Sequence, residues 1–230
     1  MQVRQLFDAE TSTYSYLLWD EQTGEAALID SVDTQVERDL KLVEELGLDL
    51  KYTLETHIHA DHITGSGKIR EKLGTEAVVH RNSQSECADL LLSDGDAIRL
   101  GDQEIHVLET PGHTDTCVSY HVDGMVFTGD TLLIRGCGRT DFQSGDAAVL
   151  YDSIHTKLFS LPDSTSVYPG HDYRGFSNST IGEEKAHNPR LGNNRPKSDF
   201  VDLMNSLDLD PPKKIAEAVP GNLRCGLKQG

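Results

Sequence analysis

The chain has 230 residues, enough for one domain with a sizeable core, and its 21 basic and 38 acidic residues give a charge of −17 that would repel a nucleic-acid backbone or an anionic membrane surface. No apolar run approaches the length of a membrane span, and the opening Met1-Gln2-Val3-Arg4-Gln5-Leu6, with acids by Asp8 and Glu10, has no pattern of a leader segment. Cys87, Cys117, Cys137 and Cys225 form no Cys-x-x-Cys pair, which argues against a zinc ribbon or a redox dithiol; a reducing cytoplasm fits best, although four cysteines suffice to pair.

Strand signals come first. Val3 to Phe7, Tyr14 to Trp19 and Ala26 to Asp30 are short apolar-leaning runs separated by polar turns such as Glu21-Gln22-Thr23-Gly24, a meander. Thr34 to Leu46 then places Val36, Leu40, Val43 and Leu46 at helical spacing and stops before Gly47. A strand at Lys51 to Glu55 leads into Thr56-His57-Ile58-His59-Ala60-Asp61-His62, and a helix is predicted over Ser66 to Leu73. If the strand runs on, His57 and His59 project from its end to one side and share a metal, with Asp61 and His62 on the following turn free to swing toward the same point. Three histidines and an aspartate in six positions have no packing purpose, and they are a ligand set for zinc, iron or manganese. Further strands are predicted at Ala77 to His80, Ile105 to Glu109, Val118 to Val122, Met125 to Thr128 and Ser166 to Tyr168, with a helix over Ala147 to Phe159. Strands mixed with surface helices imply an α/β layered domain.

Three more motifs sit at predicted strand ends. Thr110-Pro111-Gly112-His113 and Tyr168-Pro169-Gly170-His171 each end a strand in a Pro-Gly turn that presents a histidine, and Thr128-Gly129-Asp130 turns sharply to present a carboxylate. Singly each is an ordinary turn; together with the histidine loop they point to one composite metal site.

His57-x-His59-x-Asp61-His62, followed by His113, Asp130 and His171, resembles the metallo-β-lactamase superfamily in order and spacing. The resemblance implies a four-layered αββα sandwich with metal at one edge. Within that superfamily Leu133 to Gln143, Gly170-His171-Asp172-Tyr173, Glu183-Glu184-Lys185, Asn188-Pro189-Arg190-Leu191 and Ala218 to Gly226 are similar to the persulfide dioxygenases, the group that includes the ethylmalonic encephalopathy protein. The expectation is then one domain over 1–230, with a short C-terminal extension from about 175 and neither an organelle leader nor a fused rhodanese domain.

The activity so implied is oxidation of glutathione persulfide by O2 to sulfite and glutathione, a step of sulfide oxidation, at one Fe(II) per chain. By the resemblance His57, His113 and Asp130 hold the iron, the facial arrangement of two imidazoles and one carboxylate, while His59, Asp61, His62 and His171 orient those ligands from outside. Zinc has no redox chemistry, so an oxygen-using version of the site requires iron. The competing reading is a glyoxalase II-like thioester hydrolase in which the latter four residues hold a second metal. Glutathione carries two carboxylates, for which Arg139, Arg190, Arg224 and the Tyr173 hydroxyl are the candidate contacts. Cys117 and Cys137 are expected to be buried apolar fillers. The cytoplasm is the expected compartment, nucleic acid and membrane are not expected partners, and a homodimer is kept as the candidate assembly.

Overall fold

The computed structural model describes residues 1–212 and 214–227. Two six-stranded sheets face each other. The first is built in chain order from β1 (Gln2–Asp8), β2 (Thr13–Trp19), β3 (Glu25–Ile29), β4 (Asp49–Leu54), β5 (Glu76–His80) and β6 (Leu90–Leu92). Its first three strands pair antiparallel and the rest parallel. The switch follows from the connections, because hairpins join antiparallel neighbours whereas helical crossovers join parallel ones. Those crossovers are α1 (Val36–Glu45), entered through a short 3₁₀ turn at Asp33–Gln35, and α2 (Ser66–Leu73), while β5 and β6 are joined by residues 81–89, which open in a 3₁₀ turn at Arg81–Ser83.

The second sheet runs β12-β11-β10-β9-β8-β7, with β7 (Ala97–Leu100), β8 (Gln103–Glu109), β9 (Val118–Val122), β10 (Met125–Gly129), β11 (Ser166–Pro169) and β12 (Ser179–Thr180). Only β10 and β11 pair parallel, across α3 (Ala147–Ser153) and the widened helical turn Ile154–Leu158 that continues it. After β12 come α4 (Ile181–His187), α5 (Lys197–Asn205) and α6 (Ile215–Asn222).

Three apolar clusters account for four layers. Tyr16, Leu18, Ile29 and Leu54 of the first sheet meet Ile105, Val107, Tyr120 and Phe127 of the second in the central core. Leu17, Leu28 and Ala26, on the opposite face of the first sheet, are covered by Val36 and Val43 of α1 and Ile69 of α2. Val126 and Val167 lie under Leu150, Ile154 and Phe200. Alternate residues of β2 therefore feed two different cores, the consequence of a strand period of two in a sheet buried on both sides. The αββα sandwich is borne out.

Cys87 and Cys225 form a disulfide across 138 positions of sequence, whereas Cys117 and Cys137 are free and buried. The absence of a Cys-x-x-Cys spacing gave no sign of this pair, because the fold, not the sequence, brings the two together. Burial pushes the Cys117 thiol up to about 12 and the Cys137 thiol up to about 11, so both remain inert fillers at neutral pH.

Candidate metal centre

Every candidate ligand lies just past the C-terminal end of a strand, from both sheets, along one edge of the sandwich. His57, His59, Asp61 and His62 follow β4, His113 follows β8, Asp130 follows β10 and His171 follows β11. Gly129 lets the sheets approach there. Its φ is +48°, and a Cβ on it would lie 2.3 Å from the Thr56 hydroxyl.

The strand does not extend to the histidines as expected. β4 ends at Leu54, and the backbone beyond it is pulled aside by Asp30, whose carboxylate accepts from the Thr56 amide at 2.7 Å and the Thr56 hydroxyl at 2.8 Å. His57 and His59 have ring centroids only 4.1 Å apart, yet their nitrogens fall into different groups. One group is His57, His113 and Asp130; another is His59, Asp61 and His62, the ligand atoms of each lying within 4.8 Å of one another. His59 also belongs to a buried group with Asp30 and Glu55. The expectation that His57 and His59 share one metal is corrected accordingly.

Hydrogen bonding fixes which nitrogens are open. Thr56 gives its hydroxyl proton to Asp30, so at 3.1 Å from His57 Nδ1 its oxygen can only accept, and the proton of His57 sits on Nδ1. His113 Nδ1 donates to the Arg139 carbonyl at 2.8 Å, and His171 Nδ1 to the Ser12 carbonyl at 3.1 Å. In His57 and His113 this leaves Nε2 as the lone-pair nitrogen, the arrangement metal-binding imidazoles adopt. Burial alone would lower His171, but Asp130 and Asp61 outweigh it and raise it, so its Nε2 must shed a proton before it can bind. Burial, reinforced by His59 and His113, pushes His57 well down, which keeps it neutral. Asp130 Oδ1, His62 Nε2 and His59 Nδ1 are buried without any hydrogen-bond partner, a costly condition that a cation relieves. The donor set therefore fits a metal ion.

The second group is less ready. Burial alone would lower His59, but Asp30 at 3.1 Å and Glu55 at 3.2 Å outweigh it and raise His59 well above the usual range. His59 must shed a proton before Nδ1 can bind a metal. Asp61 is held well below the usual carboxylate range: burial opposes this, and His62 at 3.0 Å and His171 at 3.5 Å overcome it. His171 also lies 3.6 Å from Asp130, so it touches both groups.

A cavity of about 640 Å³ opens over His113, Asp130, Asp61 and His171. Arg139, Tyr173 and Arg190 line it, as does Arg174, which the sequence reading passed over beside Tyr173. Arg139 has four of its five N–H donors engaged. It grips the Asp141 carboxylate with two hydrogen bonds of 2.7 Å, donates to the Asp210 and Leu209 carbonyls at 2.6 and 3.2 Å, and covers the Phe142 ring at 4.5 Å. Arg190 donates to the Cys137 carbonyl at 3.1 Å and Arg174 to the Ile134 carbonyl, and among the described residues neither has a carboxylate partner. Arg224 does not line the cavity; it sits on the turn after α6, where its Nε is buried.

The sequence profile of the metallo-beta-lactamase superfamily matches residues 9–171. Persulfide dioxygenase ETHE1, mitochondrial, of Homo sapiens is 48% identical over 229 residues, which span 98% of this chain and 89% of that protein. The crystal structure of ETHE1 from Myxococcus xanthus superposes with a TM-score of 0.96 at 51% identity, covering 99% of this chain and 100% of that one. A cytoplasmic hydroxyacylglutathione hydrolase of Arabidopsis thaliana is 41% identical over 170 residues, 70% of this chain and 64% of that protein.

Proposed function

Because the chain belongs to the metallo-beta-lactamase superfamily and, within it, to the persulfide dioxygenases, we propose that it oxidises glutathione persulfide with O2. One persulfide, one O2 and one water give glutathione, sulfite and two protons. The observation that carries this reading is likeness to persulfide dioxygenases over nearly the whole chain, including the segment after His171. Hydrolase relatives match at lower identity, 41% over 70% of the chain for the Arabidopsis thaliana hydroxyacylglutathione hydrolase and 33% over 98% for a probable metallo-hydrolase of Burkholderia pseudomallei.

The protein uses a metal, which we read as a single Fe(II) held by His57, His113 and Asp130. When bound there, iron supplies a redox-active centre with positions left open for the persulfide sulfur and O2. The chain's own residues do the rest. Thr56 and the Arg139 carbonyl lock the tautomers of His57 and His113, and the Ser12 carbonyl holds the ring of His171 in place, so no ligand has to reorient when metal arrives. Arg174 and Arg190, with donors to spare, take the glutathione carboxylates, and Tyr173 offers its hydroxyl at the cavity rim. Arg139 contributes chiefly by holding Leu209 and Asp210 as a wall over the site.

We read residues 1–230 as one domain with an extension from about 175, acting in the cytoplasm as a homodimer, with neither nucleic acid nor membrane as partner. Among the described residues no helix is long and apolar enough to cross a membrane. The human relative is mitochondrial by name.

The group His59, Asp61 and His62, with His171 against it, favours one competing reading: a two-metal thioester hydrolase of the glyoxalase II kind. The test follows dissolved oxygen and sulfite together on iron-loaded enzyme, with metal counted per chain. Oxygen uptake that requires both iron and persulfide is expected, at about one iron per chain. Thioester hydrolysis without oxygen uptake, at about two metals per chain, would replace this function with the hydrolase.

A further inference from the structure

The histidine loop is held from behind by the C-terminal strap, α6 and the turn 223–226. Asn222 ends α6 with its side chain buried, and both its amide donors and its oxygen are engaged. Oδ1 accepts from the Thr64 amide at 2.9 Å, and Nδ2 donates to the His59 and His62 carbonyls, each at 2.9 Å. Those three backbone groups bracket Asp61 and His62, so one side chain sets the course of the loop.

Beyond Asn222 the strap meets the chain behind the loop at close backbone contacts. Gly67 N donates to the Cys225 carbonyl at 2.8 Å, and Glu86 N to the Leu223 carbonyl at 2.8 Å. A Cβ on Gly226 would lie 2.0 Å from the Thr64 carbonyl oxygen, and one on Gly67 2.6 Å from that of Cys225. Yet only Ala218 and Asn222 of α6 are fully buried, with Ile215 and Val219 half-buried, so packing holds this short helix weakly. Three residues after Asn222, the Cys87–Cys225 disulfide ties the strap to the segment that precedes β6. Cys225 is buried and Cys87 half-buried, so Cys87 is the more approachable end of the bond.

We propose that Asn222 is a positioning residue for the metal-binding loop and that the Cys87–Cys225 disulfide is a redox latch that holds it there. A thiolate of a low-molecular-weight thiol attacks the Cys87 sulfur; the S–S bond breaks and Cys225 leaves as a thiolate that takes up a proton. A second thiol resolves the mixed disulfide, leaving two protein thiols and one oxidised thiol pair. Freed of its covalent tie, the strap lifts, Asn222 withdraws, and the loop that orients the metal ligands loosens. Disulfides in a reducing compartment are usually transient and regulatory, which suits a latch better than a permanent brace.

The inference rests on the histidine loop being metal-binding, not on the identity of the substrate. Its test is therefore metal affinity: Co(II) binding by chelator competition, with the cobalt d–d spectrum recorded, on full-length protein. The arms are oxidised wild type, wild type reduced and then freed of reductant, Cys87→Ser, and Asn222→Asp, which keeps the shape and the acceptor but loses both donors. Oxidised wild type should bind tightest. Reduced wild type and Cys87→Ser should agree with each other, about tenfold weaker, and Cys87→Ser should ignore reductant. Asn222→Asp should be weaker by a similar factor in both redox states, with a shifted cobalt spectrum that loss of fold stability alone would not produce. Reduced wild type and Cys87→Ser binding as tightly as oxidised wild type would overturn the latch, and an Asn222→Asp protein with wild-type affinity and spectrum would overturn the positioning role. Oxidised wild type that takes up no cobalt would instead sink the metal-centre reading itself.

Discussion

Replacing His113 with Ala should abolish metal and activity together, because a three-ligand site keeps too few ligands to hold an ion. His62→Ala should behave differently: a loss of about 10–100-fold in affinity or activity, with the site still filling when iron is abundant. Metal per chain on both variants, loaded alike, separates the roles; a fall from two to one in His62→Ala would mean His62 is itself a ligand. At the cavity, Arg174→Ala and Arg190→Ala should each raise KM for the persulfide with little change in kcat, since a contact to a remote carboxylate is made equally in ground and transition states. A loss of about 1.5–3 kcal/mol in kcat/KM is expected from steady-state kinetics for each. The metal-binding residue types were legible because the turns that present them are local: Pro111-Gly112 and Pro169-Gly170 announce a chain reversal whatever surrounds them. The grouping of His57 with His113 and Asp130 came from the family resemblance and not from the local pattern, because it depends on Asp30, a residue distant in sequence that redirects the backbone at Thr56. Asn222 carried no signal of its own, since a buried amide is recognisable only by the carbonyls it meets.

At the scale of elements, Asp8 joins the end of β1 to the turn before β2 and to the entry of α1. It accepts from the Thr11 amide at 2.9 Å, the Thr11 hydroxyl at 2.7 Å and Gln35 Nε2 at 2.7 Å. Burial pushes its carboxyl up, but those hydrogen bonds prevail and hold it below its ordinary value of 3.8. A depressed carboxyl favours the folded state above the unfolded value, and that contribution is lost as pH falls through the folded one. Asp8→Asn should therefore cost about 1–3 kcal/mol at neutral pH, and the gap to wild type should narrow on acidification below about pH 4, as urea unfolding across a pH series would register. The strands of the central core and the helices α1 and α2 were legible from apolar period and terminal glycine. β6, β7 and β12 were not, being two to four residues long, and pairing rather than pattern makes them strands. The predicted helix to Phe159 is correct in extent but changes character after Ser153, where it widens.

Over the whole molecule, a charge of −17 repels an anionic substrate while Arg174 and Arg190 at the cavity attract it. Salt screens both, so kcat/KM of the wild type should vary little with ionic strength. In an Arg174→Ala, Arg190→Ala double variant only the repulsion remains, and kcat/KM should rise with added salt; a fall would show that local attraction persists without them. Layering was legible from the mixture of strands and helices, but the four-layer order came from family resemblance, because apolar pattern shows that a strand is buried on both faces without saying by what. The ligands' origin has one more effect. His57 comes from the first sheet, and His113 and Asp130 from the second, so an ion bound by all three rivets one half of the sandwich to the other. Such a rivet is absent from the unfolded chain, so free metal at 100 times its dissociation constant adds about 2.7 kcal/mol to folding. For a chain of this size that is a rise of roughly 5–10 °C in Tm. Heat resistance then reads out occupancy: a melting curve taken across a metal titration weighs the site with no substrate in the cuvette.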